Sequence, residues 1–220
     1  KAREIRAEVG AGRTVLLGVD RLDYTKGIDN RLRAFHELLT SGRHDVDDIV
    51  LIQISVPSRE SVDEYVEIRS RVEKLVGQIN GEFGEVGASP VHYLRRSLPL
   101  DELVAHYLAA DVMLVTPIRD GMNLVAKEYC ASRLDDSGVL VLSEFTGAAA
   151  ELDRAILVNL QDVDGMAAAF EQAIVMPKAE RTRRMRSLRQ RIRRRTVYDW
   201  AADFLGAVDQ AAPLATGGPR

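Results

Sequence analysis

Short unbroken apolar runs alternate with longer stretches of helical spacing along most of this chain. Residues 14–20 (TVLLGVD), 49–56, 91–94, 111–116, 139–142 and 155–158 are mainly β-branched and aliphatic, without the alternation of a half-exposed strand. Between them, residues 26–41 carry Ile28, Leu32, Phe35 and Leu39 at helical spacing. Residues 61–77 carry Val62, Tyr65, Val66, Val72, Leu75 and Val76 on one stripe. Ser61 is a candidate cap for that helix, with Glu64 at the capping-box distance. Further helices are predicted over 101–109, 122–133 and 164–175, with a short one near 148–151, and residues 1–8 are charged and helix-like. Continuous apolar strands separated by helices predict a mostly parallel sheet covered on both faces. Right-handed crossovers then make it a doubly wound, Rossmann-like α/β domain.

The end of the chain has a different pattern. Residues 180–210 read as helical throughout, with Trp200, Phe204 and Val208 on one face, and residues 211–220 carry Pro, Gly and Thr and read as a flexible tail. With 220 residues, about 70% of the unfolded surface can be buried, so a core needs no staples. A 46% hydrophobic and 29% charged composition excludes whole-chain disorder. The single cysteine, Cys130, excludes a disulfide scaffold and a zinc site built of thiolates, and reads as a small buried hydrophobe. His36, His44, His92 and His106 have no ligand spacing, so no metal is expected. No apolar run approaches the ~20 residues of a membrane span, and no signal peptide is read, so a cytoplasmic location is expected. The first residue is Lys1 rather than Met, as in a fragment of a longer chain.

The net charge of −3 conceals nine arginines within residues 181–195, a segment with no acid; without them the remainder stands at −12. Such a block raises the question of nucleic acid. Met185, Leu188 and Ile192 form an apolar stripe through it, and no aromatic residue interleaves the arginines. A packed amphipathic helix with a solvated basic face is therefore the favoured reading, and nucleic acid is not an expected partner.

In open α/β sheets, ligands bind beyond the carboxyl ends of the strands. The first strand leads into RLDYTKG (21–27), which sets Arg21 and Lys26 ahead of a helix, with Gly27 permitting close backbone approach. Two cations there can hold a phosphate; equally, they can pair with Asp20 and Asp23 on the surface. The strand at 111–116 leads into PIRDGMNLVAKE (117–128). Asp120 is expected near the helix N-cap, with the amides of Gly121, Met122 and Asn123 facing a diphosphate or a sugar hydroxyl. Glu128, two turns on, is expected on one helix face with Gly121, Leu124 and Val125, where a buried carboxylate could accept ribose hydroxyls. The alternatives are plain capping for Asp120 and a surface charge beside Lys127 for Glu128.

VDRLDYTKGI (19–28) and TPIRDGMNLVAKEY (116–129) resemble the two long motifs of trehalose-6-phosphate synthases, supported by VPSR (56–59), INGEFG (79–84) and GVLVLS (138–143). The resemblance runs from about Val19 to Asn159. It implies one half of a GT-B type enzyme, in which two Rossmann-like domains face a cleft. The activity implied is retaining transfer of glucose from UDP-, ADP- or GDP-glucose to glucose 6-phosphate, giving trehalose 6-phosphate. It makes Arg21 and Lys26 partners of the donor diphosphate and, with Asp120, the catalytic set. Asp120, Gly121, Met122 and Asn123 would hold the donor glucose. Leu124 and Val125 would lie along the nucleotide, Glu128 at its ribose and Leu98 beside its base, while Arg59 would reach the acceptor phosphate. No paired carboxylates are spaced as in a retaining glycosidase. The family's front-face return, with the leaving phosphate taking the acceptor proton, needs no such base and no metal or other cofactor.

Residues 1–179 are then the donor-binding domain, and residues 180–210 are helices packing on it or on a missing N-terminal Rossmann-like domain. The full-length enzyme is expected to be a homo-oligomer without membrane contact. The chain alone is expected to bind nucleotide without turnover. The rival readings are a non-catalytic nucleotide-sugar-binding regulatory module and a basic-helix nucleic-acid binder.

Overall fold

The structure, a computed structural model, describes residues 1–58 and 63–211. Arg59, the candidate cap Ser61 and tail residues 212–220 lie outside the described residues. The apolar runs form β1 (Thr14–Arg21), β2 (Ile49–Val56), β3 (Val91–Leu94), β4 (Val112–Val115), β5 (Val139–Ser143) and β6 (Ile156–Val158). They make one sheet in the order β3-β2-β1-β4-β5-β6, parallel at every pairing. This is the strand order of a dinucleotide-binding Rossmann sheet.

The helices are α1 (Ala2–Glu8), α2 (Ile28–Thr40), α3 (Asp63–Phe83), α4 (Leu100–Ala109), α5 (Leu124–Ser132), α6 (Val163–Ile174), α7 (Lys178–Arg194) and α8 (Val197–Ala211). Successive strand residues point to opposite faces. Leu16, Leu51, Leu114 and Val141 therefore pack under α2, α3 and α6, against Leu32, Phe35, Val72 and Phe170. Val15, Leu17, Ile52, Met113 and Leu140 pack on the other side, against Tyr107, Tyr129, Met185 and Leu188 of α4, α5 and α7. Each such buried side chain stabilises the fold by about 1.5–3 kcal/mol relative to exposure.

Two elements differ from expectation. The helix expected to stop near 77 runs on to Phe83, through Gly77 and Gly81. Beyond the expected end, Ile79 is buried in the core, and Asn80 pairs with both backbone groups of Val91 at 2.9 and 3.0 Å, pinning β3. The helical stretch expected over 180–210 is two helices, because Arg195 is extended (φ −115°, ψ 98°) and ends α7. In α7, Met185 and Leu188 are buried and Ile192 packs beside them. Its arginines are largely engaged: Arg183 and Arg184 with Glu180, Arg186 and Arg189 with Asp136, and Arg191 with Asp153. Arg195, just beyond, pairs with Asp203. On α8, Trp200 and Phe204 stack on each other and stay exposed, as do Val197, Leu205 and Val208.

Candidate functional site

β1 pairs with β2 along its whole length, from Thr14↔Ile49 to Arg21↔Val56. It pairs with β4 only at Leu16↔Val112 and Leu17↔Met113. The two strands therefore part toward their carboxyl ends, at the point where the strand order reverses, and a crevice opens there. A cavity of about 330 Å³ occupies it. Arg21, Lys26, Asp120, Met122 and Asn123 line it, and Val19, Leu124 and Val125 give it an apolar wall.

Local chemistry holds the two loops that form this cavity. Asp23 caps a 3-10 turn at Tyr24–Lys26, accepting both the amide and the hydroxyl of Thr25 at 2.8 Å. Burial pushes the Asp23 carboxyl up, but the Thr25 bonds, the Arg21 charge and the Tyr65 hydroxyl together outweigh it and leave the group below the usual carboxylate value. Gly27 follows with φ 60°; a Cβ there would lie 2.4 Å from the Thr116 carbonyl oxygen, so only glycine fits. The Ile118 amide donates to the Thr25 carbonyl at 2.7 Å, and Lys26 Nζ donates to Asp120 Oδ2 at 2.7 Å. A third strut comes from the far side: Gly147 N–H donates to the Asp120 carbonyl at 2.9 Å, and Ala148 N–H to the Met122 carbonyl at 3.0 Å.

The two candidate cations thus differ. Lys26 and Asp120 are 14% and 18% exposed and paired with each other. Arg21 is 61% exposed and stands 3.9 Å from Asp23, a loose contact that leaves it able to turn into the cavity. Asp20 is not their partner, because Arg31 Nη1 takes it at 2.5 Å. Burial raises the Asp120 carboxyl, and Lys26 with the Met122 amide and Asn123 side chain more than offsets this, so it stays ionised below the usual carboxylate value.

Several local expectations require correction. Asp120 does not itself cap α5: it lies just before the cap, where its carboxylate accepts the Met122 amide at 3.4 Å and the Asn123 side-chain amide at 3.2 Å. Asn123 is the cap: it sits in the left-handed region (φ 70°) and its side chain accepts the Ala126 amide at 3.0 Å. Gly121 therefore precedes the helix and shares no helical face with Glu128. Its carbonyl packs against Gly147, where a Cβ would come within 2.0 Å. Glu128 is exposed rather than buried, yet it is not an idle surface charge, because it accepts the Tyr107 hydroxyl at 2.9 Å. Lys127 turns away to Glu151 at 2.7 Å. Leu98 is half-buried and packs, like Val125, on the hydrophobic cluster beneath α4 and α5. Neither Leu98 nor Glu128 lines the cavity itself.

Two supporting residues escaped the sequence reading. Arg31, wholly buried, donates to Asp20, to Gln53 Oε1 at 2.8 Å and to Thr116 Oγ1 at 3.1 Å. It ties β1, β2 and the exit of β4 together beneath the cavity. The signal was present: Arg31 falls on the apolar stripe of α2 between Ile28 and Phe35. Gly18, in the middle of β1, makes room for this network, since a Cβ there would lie 2.4 Å from Arg31 Nη1. The second is Tyr107, whose pairing with Glu128 joins two helices and leaves no periodic trace.

Elsewhere, Cys130 is buried, and burial pushes its thiol up to about 12. His36 pairs with Glu82 at 2.8 Å and His44 with Glu171 at 2.9 Å. Among the described residues no group of three or more His, Cys, Asp or Glu could hold a metal ion, and no helix is long and apolar enough to cross a membrane.

The chain matches glycosyltransferase family 20 over residues 1–210. It is 59% identical over 213 residues to the trehalose-6-phosphate synthase of Mycobacterium avium (strain 104), covering 97% of this chain and 43% of that protein. It is 60% identical over 211 residues to that of Mycobacterium leprae (strain TN), covering 96% and 42%. The chain thus spans less than half the length of these curated relatives. Among solved structures, it resembles an α,α-trehalose-phosphate synthase (UDP-forming) from Burkholderia xenovorans in complex with glucose-6-phosphate. The TM-score is 0.88 at 42% identity, over 94% of this chain and 46% of that one. An E. coli structure bound with UDP-2-fluoro glucose gives a TM-score of 0.85 at 36% identity, over 96% and 50%.

Proposed function

The chain belongs to glycosyltransferase family 20, and from that premise we propose that it is the C-terminal, donor-binding part of a retaining glucosyltransferase. The enzyme would move glucose from a nucleoside-diphosphate glucose to glucose 6-phosphate, giving trehalose 6-phosphate and a nucleoside diphosphate. The observation that carries this reading is the single cavity at the β1/β4 crevice, shared by Arg21, Lys26, Asp120, Met122 and Asn123. UDP-glucose is the first donor to test, since one similar structure is described as UDP-forming.

In this reading the donor diphosphate lies against Arg21 and Lys26. Its glucose meets Asp120 and the turn of Gly121, Met122 and Asn123. The nucleotide runs over Leu124 and Val125 toward Glu128 and Leu98, and Arg59 reaches the acceptor phosphate. The bond between the anomeric carbon and the β-phosphate oxygen breaks, and its electron pair stays on that oxygen. The acceptor's anomeric hydroxyl bonds to the same face of the carbon and passes its proton to the departing phosphate. Positive charge grows on the sugar and negative charge on the phosphate. Lys26, already fixed beside the phosphate, lowers that barrier without reorganising at the moment of reaction, and Arg21 adds a second cation once it has turned into the cavity. The Lys26 ammonium has three donors, so it can keep Asp120 and still meet a phosphate oxygen. This gives Asp120 a second part: it holds Lys26 at the leaving group while its other oxygen faces the sugar.

The remaining acceptor contacts belong to the part of the enzyme that this chain does not span, so the chain alone binds nucleotide and does not turn over. Calorimetric titration of the chain with UDP, ADP and GDP tests the first point, and binding of at least one is expected. Failure of all three to bind overturns the donor-site reading. Trehalose 6-phosphate made by the chain alone from UDP-glucose and glucose 6-phosphate overturns the division of labour.

A further inference from the structure

We propose that Tyr107 is a positioning residue for nucleotide recognition: its hydroxyl fixes one oxygen of Glu128 and leaves the other turned toward the ribose. The inference rests on the reading above, in which Glu128 meets the ribose. Tyr107 is wholly buried on α4, and its hydroxyl donates to Glu128 Oε2 on α5 at 2.9 Å. Glu128 is otherwise an exposed glutamate with three side-chain torsions, and such a group samples many rotamers. A carboxylate used to bind a pair of adjacent hydroxyls must be held in one of them before the ligand arrives. The Tyr107 bond supplies that restraint, and it occupies only part of the carboxylate's accepting capacity.

The tyrosine is itself immobilised. Its ring meets that of Tyr129 edge-on, with centroids 6.3 Å apart at 77°. The end of α4 is clamped by Arg133 Nη1, which donates to the carbonyls of Tyr107, Leu108 and Ala110 at 3.1, 2.9 and 3.1 Å. Burial, and then the negative charge of Glu128, raises the Tyr107 phenol far above its ordinary value. The hydroxyl therefore keeps its proton, and the tyrosine is always the donor. Packing alone requires only the ring, and a phenylalanine would fill the same space.

The test compares Tyr107→Phe, Glu128→Gln and the double variant in the 220-residue chain. The probes are the tightest binder among UDP, ADP and GDP, and inorganic pyrophosphate, which has no ribose. Tyr107→Phe is expected to weaken the nucleotide about fivefold, the scale of one ordinary hydrogen bond. It should leave pyrophosphate within about twofold, and it should add nothing in the Glu128→Gln background. A loss at Glu128→Gln with none at Tyr107→Phe overturns this inference and leaves the ribose assignment standing. No nucleotide-selective loss in either variant overturns both. Equal losses for nucleotide and pyrophosphate in Tyr107→Phe make the hydroxyl a fold contact and also overturn the inference.

Discussion

Replacing Lys26 by alanine removes its ion pair with Asp120 and, in the proposed reading, a contact with the donor, and the two losses can be measured separately. The first is the ion pair with Asp120, at 2.7 Å and with both side chains less than a fifth exposed. Exposed pairs contribute ~0–1 kcal/mol, whereas breaking a fully buried pair costs ~3–5 kcal/mol. Asp120 keeps the Met122 amide at 3.4 Å and the Asn123 side chain at 3.2 Å, so it is not stranded. A stability loss of about 1–2 kcal/mol follows. The second is the proposed contact with the donor diphosphate, worth about 1.5–3 kcal/mol for a hydrogen bond to a charged group, or roughly 10- to 150-fold in Kd. Arg21→Ala serves as the contrast. With 61% exposure and only a 3.9 Å approach to Asp23, Arg21 does little for the fold. Its loss should weaken the nucleoside diphosphate by a similar factor and leave the denaturation midpoint unchanged. Urea titration and calorimetry on the same protein samples read both quantities. Unchanged nucleotide affinity in both variants would refute the diphosphate assignment. Equal destabilisation in both would refute the asymmetry drawn from the geometry.

Gly147→Ala should destabilise the chain by about 1–3 kcal/mol and weaken nucleotide binding, because its Cβ would press on the Gly121 carbonyl; a thermal melt matching the unaltered chain would show that this strut is slack. Arg31→Met should cost about 3–5 kcal/mol in urea denaturation, since it leaves the buried Asp20 carboxylate without a counter-charge and with only Gln53 Nε2 at 3.3 Å; a loss below about 1 kcal/mol would mean that water already reaches the pair. Asp120, held below the ordinary aspartate value of 3.8, contributes stability that is complete above that value and fades as pH falls through its lower folded value. Melts taken across that acid window should therefore fall less steeply for Asp120→Asn than for the unaltered chain, and parallel curves would refute the coupling.

The sheet was legible because β1, β2, β4 and β5 are buried on both faces and appear as mainly apolar runs, while the shorter β3 and β6 at its edges are partly exposed. The loops were legible as polar segments entered directly from such runs. Their internal geometry was not. Asp120 and Asn123 are both good capping residues three positions apart, and the choice between them is made by a long-range contact. The Asp120 amide donates to the Phe145 carbonyl at 3.3 Å, drawing Asp120 toward β5 and leaving Asn123 to start the helix. Glu128 was expected to be buried because it follows the motif by two helical turns, but helical phase counts only from Leu124 onward. The extension of α3 through two glycines reflects burial of Ile79 overriding local propensity. Tyr107 could not be found from its own helix, since its partner comes from the next one.

The hydrogen bond from Ile118 to Thr25, the Lys26–Asp120 pair and the close contact at Gly27 join the two walls of the crevice through the protein's own contacts. Among the described residues, the two walls an incoming nucleotide would meet are already tied to each other. The entropy it loses is mainly its own, and its association should follow a single concentration-dependent exponential with no slow isomerisation after the encounter.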